Sequence, residues 1–423
     1  MSTQYFRVVE HVVPCQHIRQ YPRATANAEE DTLHMSVKQY MPLSNLKPQY
    51  GDVTIIAGHA NGFPKEVYEP LWDEILHLAE AAGFGIRGIW IADVAQQGQS
   101  GVLNEDKLGN DPSWFDHPRD LLHMINVFRD QMPRPIVGIG HSMGGNHLTN
   151  LSLLHPRLLE TLVLIDPVIS RQNSKKNEFF AARASAKRRD RWESRESALN
   201  AFRKNKFYQK WEPRLLDLWV KYGLRELPTL LYPNSASQGE VTLTTTKFQE
   251  VATFLRLGIV ADETSGPSRH ETRRTRPDLT PTDDPSIPFY RPEPVITFNN
   301  LPYLRPSVLY IFGERSSLSM AQLRAEKLAV TGVGIGGSGG HPEGRVEEVL
   351  IHDAGHLIPM EKVVETAEHT VRWLGTELAR WKQEDTREKE EWASYFGQKK
   401  GVPSPEYLKH MLDPDNLAEK AKL

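Results

Sequence analysis

The stretch VGIGHSMGGNHL, Val137 to Leu148, decides how this 423-residue chain is read. Its first half continues the apolar run that starts at Pro135 and has the composition of a buried strand; its second half opens a helix. Between them stands Gly140-His141-Ser142-Met143-Gly144, with a further glycine at Gly145. In a strand–turn–helix context, G-x-S-x-G sets the serine on a sharp, strained turn. The glycines two before and two after let neighbouring backbones come close. Such a turn lifts Ser142 Oγ clear of the sheet and puts the helix N-terminus beneath it. Ser142 is the candidate nucleophile for acyl transfer.

Outward from this turn the pattern alternates. Strands are expected over 33–41, 53–58, 87–93, 135–142 and 161–166, with helices over 65–83, 118–132 and 143–155. Alternation of this kind builds a mostly parallel sheet with helices on both faces, an α/β class of fold. The rhythm stops after 166. Residues 167–304 carry helical stretches at 188–211 and 246–258, and seven prolines between 262 and 294, which reads as a long irregular loop or a disordered segment. A strand at 307–313, a helix at 320–330, a strand at 346–356 and a helix at about 362–381 resume the pattern. The expected organisation is a sheet domain, 1–166 and 305–381, with a helical lid at 167–304 inserted after the sixth strand. A C-terminal extension follows at 382–423.

A serine that attacks a carbonyl needs donors for the oxyanion that develops. The strand 53–58 runs into GHANGF (58–63), similar to an H-G-x-G loop with Ala60 for the first glycine. The backbone N–H groups of Asn61 and of Met143 are the candidate donors. His59 and His141 are read as structural supports of these two loops. The base belongs beyond the last strand, where IHDAGHLIPME offers His352 and His356. His356 leaves the strand behind Asp353-Ala354-Gly355 and is the candidate base, while His352 is placed in the strand, half buried.

The acid poses the harder question. Serine hydrolases of this kind usually keep an aspartate after the strand that follows the lid, near the fourth position of G-x-x-D. Here that place reads Gly313-Glu314-Arg315-Ser316. Glu314 is one candidate. Asp166 is the other and the preferred one: it ends the strand TLVLID 24 residues after Ser142, one helix plus one strand away. It therefore emerges beside the serine at the carboxyl edge of the sheet, and the order Ser…Asp…His is kept.

Composition excludes several classes. Net charge is −3, one quarter of the residues are charged, and Cys15 is the single cysteine, so no internal disulfide is possible and a reducing compartment is expected. The N-terminal stretch lacks the pattern of a signal peptide, and no apolar run has membrane-spanning length, so a soluble intracellular protein is expected. GVGIGG (332–337) matches a dinucleotide fingerprint in letters only, because it follows a helix and precedes a strand. His11, Cys15 and His17 lack further ligands for a zinc site. No metal and no cofactor are expected. Between Arg171 and Arg225 lysines and arginines outnumber acids by ten. That block suits an anionic small molecule such as a coenzyme A thioester better than nucleic acid. The sequence ends in Ala421-Lys422-Leu423, a close variant of the S-K-L tripeptide read by the peroxisomal import receptor.

Taken together, GHANGFPKEVYEPLW, GHSMGGNH, LVLIDPV, GVGIGGSGGHPEG and DAGHLIPME resemble the fungal peroxisomal α/β-hydrolases. That group includes an acyl-CoA hydrolase of mycophenolic acid biosynthesis, hydrolases of host-selective toxin pathways and a yeast peroxisomal lipase. The resemblance spans about residues 5–381. It implies an α/β-hydrolase fold and a serine, histidine and post-sixth-strand acid at Ser142, His356 and Asp166. The implied substrate is a thioester or ester of secondary metabolism. The alternatives are a carboxylester or lactone hydrolase or lipase, and a non-catalytic binder on the same scaffold.

Overall fold

The structure, a computed structural model, describes residues 2–172, 179–234, 238–257, 278–279, 289–394 and 400–412. Most of the proline-rich stretch 262–294 and the C-terminal tripeptide lie outside the described residues. Two compact units are present, Met1–Glu377 and Leu378–Leu423, so the inserted segment belongs to the same unit as the sheet. The second unit contains the end of the helix Val363–Ser394 and the short helix Pro405–Leu412.

The sheet has eight strands: β1 (Phe6–Pro14), β2 (His34–Pro42), β3 (Val53–Gly58), β4 (Ile86–Ala92), β5 (Ile136–His141), β6 (Thr161–Ile165), β12 (Ser307–Gly313) and β13 (Val346–Ile351). Their order is β1-β2-β4-β3-β5-β6-β12-β13, and β2 pairs antiparallel with both β1 and β4 while every later neighbour is parallel. Strands β3, β5, β6 and β12 are buried at every residue, as the centre of a parallel sheet covered on both faces requires. On one face Ile56, Trp90, Leu162, Leu164, Val308, Tyr310 and Phe312 share a core with the helices α3 (Asp116–Val127) and α4 (Met143–Leu154). The helices α1 (Glu69–Ala79) and α2 (Gly98–Leu103) follow β3 and β4. Strand β1, which pairs residue for residue with β2, falls in a stretch not read as a strand: the polar residues at Arg7, Glu10 and His11 do not follow a clean period of two.

The segment between β6 and β12 is more broken than the sequence suggests. The expected helix at 188–211 breaks into β7 (Arg191–Trp192), the helix α6 (Arg195–Lys204) and a turn at Tyr208–Lys210. Ser194 ends the extended piece and caps α6, its hydroxyl accepting from the Ser197 N–H at 3.0 Å. With β8 (Leu224–Glu226) and β9 (Val241–Leu243), β7 makes a small antiparallel sheet; β10 (Arg256–Leu257) and β11 (Phe289–Tyr290) form a two-stranded ladder. The insertion also holds the helices α5 (Phe180–Lys187), α7 (Pro213–Tyr222) and α8 (Lys247–Phe254) and the helix Glu293–Asn300. Among the described residues no helix is long and apolar enough to cross a membrane.

Candidate active site

Register brings the site together. Gly58 lies opposite Gly140, His141 opposite Ile165, Ile165 opposite Ile311, and Gly313 opposite Ile351. The carboxyl ends of β3, β5, β6, β12 and β13 therefore share one edge, which is where an open parallel sheet presents its site.

Ser142 occupies the turn from β5 into α4 with φ 57° and ψ −117°, a region that costs a non-glycine residue about 1–3 kcal/mol. The surroundings hold it there. Its N–H donates to the Ile165 carbonyl at 2.9 Å, and its carbonyl accepts from Gly145 and Val168, each at 3.1 Å. Gly144 is obligatory for a different reason: a Cβ there would stand 2.2 Å from the carbonyl carbon and oxygen of Gly58. The end of β3 is thus pressed onto the serine turn, backbone against backbone.

His356 lies on the loop after β13. Its Nε2 is 2.9 Å from Ser142 Oγ, and its Nδ1 is 2.6 Å from Asp166 Oδ2. Asp166 follows β6 with φ 40° and no solvent exposure. Burial pushes its carboxyl up, but the bonds from His356, Ser316 and Ser319 outweigh that and hold it below the usual carboxylate range. The two hydroxyls are close: Ser316 Oγ donates to Oδ2 at 2.5 Å and Ser319 Oγ to Oδ1 at 2.6 Å. Ser316 is the fourth residue of Gly313-Glu314-Arg315-Ser316, so the position where an aspartate is expected supplies a donor to Asp166 instead. Glu314 points elsewhere. Its carboxylate accepts from the Asp353 N–H at 3.0 Å and lies 3.4 Å from His352 Nδ1. His352, expected half buried in the strand, is instead exposed, because β13 ends at Ile351.

The loop after β3 shows which backbone donor is spare. The Ala60 N–H donates to Tyr68 Oη at 2.8 Å, that of Gly62 to Gln97 Oε1 at 2.7 Å, and that of Phe63 to the Ala60 carbonyl at 3.2 Å. The N–H of Asn61 has no acceptor among the described residues. The same holds for Met143, the first residue of α4, where a helix leaves its N–H groups unpaired. Both residues named from the sequence therefore present an open N–H.

His141 and Tyr68 tie this loop to the histidine loop. Tyr68 Oη accepts from Ala60 and donates to His141 Nδ1 at 2.9 Å; His141 Nε2 then donates to the His356 carbonyl at 2.9 Å. The chain of donors requires a neutral His141, and burial, helped by the neighbouring His356, pushes its pKa down to about 3. His59 is also buried. Its Nδ1 faces the Ala60 carbonyl at 2.8 Å, and its Nε2 accepts from the Val94 N–H at 2.9 Å. Tyr68, Gln97, Ser316 and Ser319 carry no motif signal, so sequence reasoning passed over them. The one available sign was that Ser316 replaces the expected aspartate.

The alpha/beta hydrolase family model matches residues 55–369, about three quarters of the sequence. The chain belongs to the alpha/beta hydrolase family. Among curated relatives, a type I acyl-CoA thioesterase of Penicillium brevicompactum is 46% identical over 409 residues, covering 92% of each chain. An abhydrolase domain-containing protein of Alternaria alternata is 26% identical over 245 residues, covering 57% of this chain and 84% of that one. Among solved structures, a peroxisomal alpha-beta-hydrolase of Saccharomyces cerevisiae superimposes with a TM-score of 0.65 at 17% identity, covering 99% of this chain and 98% of the other.

In this hydrolase the basic block of the insertion divides. Arg188 reaches inward and pairs with Glu250 of α8 at 2.6 Å. The Glu250 carboxylate lies against Gly62, one residue from Asn61: a Cβ on Gly62 would come within 2.9 Å of it. Burial raises the Glu250 pKa against the opposing pull of Arg188 and Ser185. Arg183, Lys187, Arg189 and Arg191 are exposed, and Arg191 is engaged with Glu240 at 3.2 Å.

Proposed function

We propose that this hydrolase is a serine hydrolase that cleaves an acyl-CoA thioester, or a closely related ester, in a peroxisomal pathway of secondary metabolism. The observation that carries the reading is the unbroken line Asp166–His356–Ser142 lying beside two unpaired backbone donors. In this mechanism Ser142 Oγ attacks the acyl carbonyl as His356 Nε2 takes its proton. Asp166 holds the Nδ1 proton and fixes the tautomer, and it offsets the positive charge of the imidazolium that forms. The N–H groups of Asn61 and Met143 bind the oxyanion. Collapse of the tetrahedral intermediate breaks the carbon–sulfur bond, and His356 returns the proton to the leaving thiolate. Water then attacks the acyl-enzyme with His356 again as base, releasing the acid and restoring the Ser142 hydroxyl. No cofactor enters the sequence of steps.

Identity of 46% with a relative named as an acyl-CoA thioesterase supports the substrate class. The excess of cations between Arg171 and Arg225, with Arg183, Lys187, Arg189 and Arg191 exposed, supports an anionic leaving group. The likeness of the last three residues to S-K-L supports the compartment. The test is kcat and KM for a panel of acyl-CoAs against matched neutral esters, at low and high salt, for the parent and Ser142→Ala. Ser142→Ala should lose at least about 10³-fold in kcat. KM for acyl-CoA should rise with salt while that for a neutral ester stays level, because exposed charges are screened beyond about 10 Å. Activity of Ser142→Ala within tenfold of the parent would overturn the nucleophile. Equal salt response for both substrates would overturn the thioester assignment.

A further inference from the structure

The Asn61 peptide is held by its own side chain. Asn61 Oδ1 accepts from Gln97 Nε2 at 2.6 Å, and Asn61 Nδ2 donates to the Glu250 carbonyl in α8 at 3.1 Å. Gln97 is completely buried on the loop between β4 and α2 and uses its whole amide. Its Oε1 accepts the Gly62 N–H at 2.7 Å, and its Nε2 donates both to Asn61 and to Thr253 Oγ1 of α8, the latter at 3.1 Å. Thr253 Oγ1 also accepts from Gln96, and the Gly98 N–H donates to Thr245 Oγ1 at 2.8 Å. The bonds of these two amides agree in direction, and the backbone N–H left over is that of Asn61.

We propose that Gln97 is a positioning residue for the oxyanion site. It fixes the direction of the Asn61 N–H by holding both the Asn61 side chain and the following peptide at Gly62, and it makes α8 of the insertion part of that scaffold. The inference rests on the reading of Asn61 as an oxyanion donor. By taking up the Gly62 N–H, Gln97 leaves Asn61 alone to face the reacting carbonyl. By gripping the Asn61 side chain, it prevents the peptide from rotating. Such an interaction acts when charge develops on the carbonyl oxygen and contributes little to the bound ground state, so its loss belongs in kcat.

Gln97→Leu should lower kcat by about 10- to 100-fold, the scale of a misplacement of roughly an ångström, with KM nearly unchanged. Gln97→Glu keeps an acceptor for Gly62 but has no donor for Asn61 or Thr253, and it should show the same split. Asn61→Ala keeps the backbone N–H and loses only the tether, so it should match Gln97→Leu. The double variant should be little worse than either single in kcat, because both remove the shared Gln97–Asn61 bond. Affinity for a trifluoromethyl-ketone analogue should fall in step with kcat, while that for a non-hydrolysable acyl-CoA thioether should hold. If Gln97→Leu does not fold, Asn61→Ala gives the same readouts. Full kcat in the variants, or additive losses in the double variant, would overturn the inference. The serine-hydrolase reading fails separately: the parent itself would then hydrolyse no acyl-CoA or p-nitrophenyl ester and would resist fluorophosphonate labelling.

Discussion

Replacing Asp166 by asparagine is the sharpest perturbation of this site. The Asp166 carboxylate accepts three short bonds, from His356 Nδ1, Ser316 Oγ and Ser319 Oγ, at 2.6, 2.5 and 2.6 Å. An amide has one oxygen, so it can serve only part of that set. When its NH₂ faces His356, Nδ1 must become the acceptor and the ring proton moves to Nε2. That nitrogen lies 2.9 Å from Ser142 Oγ, where an acceptor is needed to receive the hydroxyl proton. The reactive tautomer is then lost, and so is the negative charge beside the imidazolium. Loss of the orienting carboxylate in serine triads costs about 10⁴-fold in kcat. Here Ser319, on the other carboxylate oxygen, can turn to accept from the amide NH₂ and keep part of the population with the amide oxygen on His356, which places the expected loss at about 10³–10⁴-fold, or roughly 4–5.5 kcal/mol in the barrier. Release of the coenzyme A thiol, followed with a thiol-reactive dye under saturating acyl-CoA, measures it. Circular dichroism checks that the variant is folded. Glu314→Gln serves as the control and should leave kcat essentially intact, since Glu314 faces Asp353 and His352. If Glu314→Gln proves the more damaging of the two, or Asp166→Asn stays within tenfold of the parent, the acid is not Asp166.

Two further outcomes follow from backbone contact and from burial. Gly144→Ala puts a methyl group 2.2 Å from the Gly58 carbonyl, and no side chain can move aside. It should destabilise the fold by about 3 kcal/mol or more and abolish activity; a urea midpoint equal to the parent's would refute the close approach. The buried His141, with its pKa near 3, stays neutral in the fold while the unfolded chain takes up a proton below about 6.5. Its contribution is therefore complete above that value and is lost as pH falls towards 3, about 2 kcal/mol of it between pH 6.5 and 5. His117 and His147, also buried and pushed down mainly by burial, act in the same direction. Denaturant titrations across this range should show the decline, with a shallower slope for His141→Gln; an unchanged slope would refute a neutral His141.

Residues that act through local chain geometry could be read from the sequence alone. The G-x-S-x-G turn, the histidine loop and the parallel-strand runs are short-range patterns, because a strained turn between a buried strand and a helix admits few residue types. The placement of Asp166 beside Ser142 was reachable for the same reason: one helix and one strand after Ser142 is a fixed distance in an alternating fold. The antiparallel edge strand β1 was not, because the pairing with β2 that defines it is non-local and its own pattern is weak. The break at Asp190–Ser194 was hidden for a related reason, since the pairing of β7 with β9 decides it over helix propensity. The supporting residues depended wholly on tertiary structure. Ser316 and Ser319 meet Asp166 across 150 and 153 residues, Gln97 meets Thr253 across 156, and Tyr68 meets His141 across 73. A serine, glutamine or tyrosine in a loop looks the same in sequence whether it is solvated or buried. Only the closing of the sheet and the docking of the insertion decide which of them lose water, and a polar group that loses water must find a partner.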